Sequence, residues 1–114
     1  MKGISLKQPW ANLIASGEKT IETRTWSTNY RGPLLIVSTK SPPIAPAGFA
    51  LALADLVDCR PMEGKDEAAA RCKRYDGAYA FVLANVRPIV PLPVRGARRI
   101  FDVDIAESDI TFRR

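Results

Sequence analysis

The chain has 114 residues, 46% hydrophobic and 25% charged, with a net charge of +5 and a pI near 9.6. That length and balance suit one compact domain over residues 1–114 and exclude a wholly disordered chain. No His occurs, which excludes His-based zinc sites, Ser–His–Asp triads and His-pair ribonuclease chemistry.

In chain order, Gly3–Leu6 reads as a first strand. Pro9 then suits the first turn of a helix, where its missing N–H has no partner anyway. Trp10, Leu13 and Ile14 follow at i, i+3 and i+4, so Trp10 is expected in the core. Gly17 fits the left-handed residue that ends such a helix. "KTIETRTW" reads as a strand with Ile21 on one face and Glu22, Arg24 and Trp26 on the other, Thr23 pointing away from them.

"NYRGP" is a turn, and Leu34–Thr39 a dense central strand. The three prolines of "KSPPIAPAG" make it a loop. "FALALADLVDCRPM" alternates Phe49, Leu51 and Leu53 with alanines, a long strand. Glu63–Tyr75 places acids first and bases last, which complements a helix dipole. Asp76–Gly77 marks a turn, "AYAFVLANVRPIV" a strand bent or ended near Pro88, "PLPVRGARR" a basic loop and "IFDVDI" a final strand. The sum is an α+β domain, five or six strands with two helices, arranged as a small barrel.

The start of the chain has no apolar run of leader length. The most apolar stretch, Ile44–Val57, is broken by Pro46 and Asp55 and falls short of the ~20 residues a membrane helix needs. A cytoplasmic protein with no membrane partner is expected. Cys59 and Cys72 are too few for a disulfide framework and form no CxxC, so both read as reduced thiols. No metal or cofactor is called for. The basic balance favours a polyanion such as nucleic acid, or simply solubility.

"GEKTIETRTW" carries the chemistry. Glu22 and Arg24 lie two apart, on one strand face, and could be an exposed charge pair worth little. Trp26 beside them suggests instead a groove that stacks a nucleobase, bonds its edge and holds its phosphate.

These residues resemble the ASCH (activating signal cointegrator homology) domain family. The pattern of apolar strand, QPW, short helix and GxKxxExR with a following aromatic is present as Gln8, Pro9, Trp10, Gly17, Lys19, Glu22, Arg24 and Trp26. "YRGPLLIVST" resembles the family's next turn and strand, with Ser38, Thr39 and Lys40 where a His-Ala-Ser-like sequence is common. The resemblance implies a PUA-like fold, a five- or six-stranded β-barrel with two or three short helices beside a basic cleft. It also implies binding of single-stranded RNA or a modified nucleoside. Lys19, Glu22, Arg24, Trp26, Gln8, Tyr30, Arg31 and Lys40 are the expected binding residues, with Arg95, Arg98 and Arg99 as further rim. Gln8 could equally cap its helix, and Tyr30 could equally pack in the core.

Some members of the family are hydrolases. On that alternative a desolvated Lys19 serves as base or electrophile and Glu22 as its proton partner, without metal, on a modified nucleoside or on RNA. Glu22 stands where the cytidine-deacetylating members carry Thr, and it would repel an oxyanion. Their further acidic residue has no clear match among Glu63, Asp66 and Glu67. A third possibility is a protein-interaction module that docks through "KSPPIAPAG".

Overall fold

The computed structural model describes residues 1–113. Six strands form one mixed sheet: β1 (Lys2–Leu6), β2 (Ile21–Arg24), β3 (Gly32–Ser38), β4 (Phe49–Pro61), β5 (Tyr79–Pro93) and β6 (Ile100–Asp102). Their spatial order is β2-β5-β4-β3-β1-β6. The sheet curls into a half-barrel with two short helices, α1 (Trp10–Ala15) and α2 (Glu67–Ala70). Among the described residues its edges, β2 and β6, do not pair with each other. A side chain spans part of that gap: Arg24 of β2 donates through Nη2 to the Ser5 carbonyl of β1 at 2.8 Å.

β3 is buried from Leu34 to Ser38, as its dense apolar run implies for a strand covered on both faces. Leu34 and Ile36 pack on one side with Ile4, Leu6, Phe81 and the helix residues Ala11 and Ile14. Leu35 and Val37 pack on the other with Leu53, Ile89 and Val103. A third, smaller cluster lies under α2, from Ile21, Met62, Ala70, Ala78 and Ala80.

Several elements differ from the sequence reading. The apolar stripe of α1 is Ala11 and Ile14, both fully buried, while Trp10 is 40% exposed. In a helix spelled WANLIA two stripes compete, and the choice falls to the neighbouring sheet. The expected helix over Glu63–Tyr75 shrinks to a 3₁₀ turn, Gly64–Asp66, and the single turn of α2. Arg71 ends it in the left-handed region, φ 58°. Tertiary bonds take the polar groups a longer helix would need: Asp66 accepts from Arg60, and Glu67 accepts from the Arg74 amide.

In β4, register shifts at Ala50/Ala52 and Leu53/Asp55 put Leu51 and Leu53 in different cores, so its alternation does not mark one face. β5 runs on through Pro88 to Pro93. β2 pairs only as far as Val82; beyond it the end of the chain lies along β5, where the Val90 amide donates to the Thr111 carbonyl at 2.7 Å and the Pro88 carbonyl accepts from the Arg113 amide at 3.0 Å. The proline-rich loop before β4 and the turn at Gly17, φ +84°, stand as read. No helix is long and apolar enough to cross a membrane among the described residues.

Candidate functional site

A cleft of about 430 Å³ opens where the start of α1, the β2 edge and the end of α2 meet. Its size is that of a small-molecule site. Lys19 forms its floor and is 3% exposed. The turn at Gly17 delivers it there, with the Lys19 amide bonded back to the Leu13 carbonyl at 3.0 Å. Its Nζ donates to the carbonyl of Ala70, the last residue of α2, which lacks a helical partner. The same Nζ lies 3.5 Å from Glu22 Oε1 and 5.6 Å from the centre of the Trp10 ring.

Glu22 stands between two cations. Its Oε2 accepts from Arg24 Nε at 3.0 Å and Nη2 at 2.8 Å. Oε1 has the long Lys19 contact alone, so it retains acceptor capacity toward the cleft. With Lys7 also on the wall, three cations face one carboxylate. Trp10 and Tyr75 rim the opening, 40% and 39% exposed. Tyr75 is oriented by its hydroxyl, which donates to Thr23 Oγ1 at 3.0 Å. Thr23 and Cys72, with 3.8 Å between Oγ1 and Sγ, complete the polar side.

The model of the ASCH domain matches residues 4–93. The chain belongs to the ASCH domain family. It is 27% identical over 127 residues to human activating signal cointegrator 1 and 26% identical over 127 residues to the mouse protein. Each match covers 89% of this chain, which spans only 22% of the length of those relatives. The crystal structure of ASCH from Zymomonas mobilis superposes with a TM-score of 0.72 at 19% identity, covering 95% of this chain and 89% of that one. At that identity the likeness is one of fold.

Within this ASCH fold, the motif residues Lys19, Glu22 and Arg24 converge on the cleft. The other expected binding residues do not. Trp26 lies past the end of β2 and packs edge-on against Phe81, ring centres 4.9 Å apart at 78°. The guanidinium carbons of Arg99 and Arg24 lie 5.2 and 6.0 Å from the centre of its ring. Gln8 is buried and caps α1: its Oε1 accepts from the Asn12 amide and its Nε2 donates to Asn12 Oδ1, both at 3.0 Å. Tyr30 packs against the first core and donates to the Pro33 carbonyl at 2.5 Å; burial raises its pKa. Arg31 donates to the carbonyls of Thr28 and Tyr30. Lys40 lines a second cavity.

Asp66 accepts from both Arg60 nitrogens and from the Glu63 amide, and does not line the cleft. The Arg60 bonds, then the Glu63 amide, pull its pKa down to about 2. Thr23 lines the cleft although it sits between Glu22 and Arg24. β2 is an edge strand, so a cleft along its open side is reached from both faces. The missed aromatics, Trp10 and Tyr75, left one usable signal: Trp10 opens a helix so short that its first turn need not face the core.

Proposed function

We propose that this domain, taken as residues 1–114, binds single-stranded RNA or a modified nucleoside in the cleft between α1, β2 and α2. The observation that carries the reading is a network of buried Lys19 with partly buried Glu22 and Arg24 beneath two exposed aromatic rings. Trp10 and Tyr75 offer flat faces on which a base stacks. Glu22 Oε1 accepts from an exocyclic amino group, which favours cytosine or adenine over uracil. Lys7 on the wall adds a further cation for a polyanion. A cytoplasmic setting belongs to the same reading.

Binding is favoured over hydrolysis because both proton-transfer candidates are engaged. Lys19 is held by Ala70 and Glu22, and Glu22 by Arg24. The test is an NMR titration of labelled protein with cytidine, uridine and a short single-stranded RNA. Shifts of the Trp10 indole and the Lys19–Arg24 amides, stronger for cytidine than for uridine, are expected. Unmoved signals at millimolar ligand would overturn the reading.

A further inference from the structure

Beside the first cleft lies a second cavity of about 390 Å³, and the two share Ser5 and Thr39 as a common wall. The second has a different character. Its lining carries Lys40, Arg95 and Arg98 and no carboxylate. None of these three cations enters an ion pair among the described residues. By contrast Lys19 and Arg24 in the first cleft are both paired to Glu22.

Two further observations point to an anion. The amides of Arg95, Gly96, Ala97 and Arg98 donate to no backbone acceptor among the described residues. Backbone amides with no protein acceptor beside a cavity are available to donate to a bound anion. Ser5 lines both cavities, and its buried hydroxyl, set just beneath the loop, has no hydrogen-bond partner among the described residues, a costly state for a buried polar group. Gly96 packs so close that a Cβ there would stand 2.6 Å from Ser5 Oγ, so a larger residue would push the loop off the wall. The loop is tied at both ends, by the Val94 amide to the Gly48 carbonyl at 3.2 Å and by Arg99 against Trp26.

We propose that the second cavity is a phosphate site that takes the phosphate of a nucleotide whose base occupies the first cleft. The ligand is then a nucleotide and not a bare nucleoside. Only the base half of this assignment rests on the function proposed above. The phosphate half stands on the cations, the free amides and the lone hydroxyl.

The test uses the labelled chain of residues 1–114, titrated with inorganic phosphate, cytidine, and cytidine 3′- and 5′-monophosphate. Phosphate alone shifts the Arg95–Arg98 amides. One of the two monophosphates binds about tenfold more tightly than cytidine. Both charged residues are exposed, so an Arg95→Gln/Arg98→Gln chain keeps its fold. It loses that gain while its cytidine affinity stays within about twofold. Amides unmoved by phosphate, or a gain that survives the double substitution, overturn the phosphate site. If phosphate moves the loop but cytidine moves nothing, the phosphate site stands and the base assignment falls. A cytidylyl dinucleotide separates the sources: an equal gain marks an RNA chain phosphate, and a gain limited to the monophosphates marks a free nucleotide.

Discussion

At the scale of single residues, burial and partners decide what each side chain can do. Trp10 reads as core in the sequence and lies exposed at the cleft rim. Trp10→Ala should therefore cost no more than about 1 kcal/mol in a urea melt, against about 3–5 for a core Trp. The same change should weaken cytidine or RNA binding by about 1–3 kcal/mol, the worth of one stacked base. Asp66 is the converse, an expected helix residue that became a buried anchor for Arg60. Its pKa falls from 3.8 to about 2 on folding. The unfolded chain binds the proton more tightly, so Asp66 stabilises fully above about pH 4 and loses that contribution as pH falls to about 2. The contribution is about 2 kcal/mol. Comparing melts at about pH 6 and about pH 2.5, the wild type should lose about 1.5 kcal/mol more stability than Asp66→Asn, the remainder going only as pH falls through about 2. Equal losses would mean that Asp66 is not the titrating group.

At the scale of elements, β2 is the hinge of the design. It is four residues long, pairs with β5 alone among the described residues, and needs its side chains to reach β1. Arg24 makes that reach while it neutralises Glu22. Arg24→Gln should cost about 3 kcal/mol by urea unfolding, because Glu22 is left partly buried with only the longer Lys19 contact. Adding Glu22→Gln should recover part of that loss, since the two changes share one interaction. If the double substitution is as unstable as the sum of its parts, the pair is not coupled and the link to Ser5 alone carries the effect. The strands β1, β3 and β4 were legible from apolar runs because those runs are buried on the sheet's faces. The α2 region was not legible, because its charge order suits a helix while distant partners, Arg60 and Met62, bind its polar groups elsewhere.

At the scale of the molecule, a net charge of +5 is unevenly spent. Lys19, Arg24, Arg60 and Arg71 are paired with carboxylates, whereas Lys40, Arg95 and Arg98 gather around the second cavity with no ion pair among the described residues. Short RNA crossing both cavities should release counterions for each phosphate it places there. About four contacts give a slope near −3 in log affinity against log salt, or roughly a 60-fold loss between about 50 and 200 mM. An affinity that ignores salt would place the RNA away from these cations.

By itself the sequence determined the family, through QPW and GxKxxExR, and with it a six-stranded curled sheet beside short helices. Among the described residues that sheet stays open where a barrel was expected. The motif also determined the convergence of Lys19, Glu22 and Arg24. Those residues sit on one turn and one short strand, so local geometry carries them to the same place. It also determined the buried central strands, since an unbroken apolar run has few other stable environments. Only the tertiary structure decided which aromatics face the cleft and that Lys40 meets Arg95 and Arg98. Those outcomes depend on contacts between segments distant in the chain, and no spacing within either segment records them.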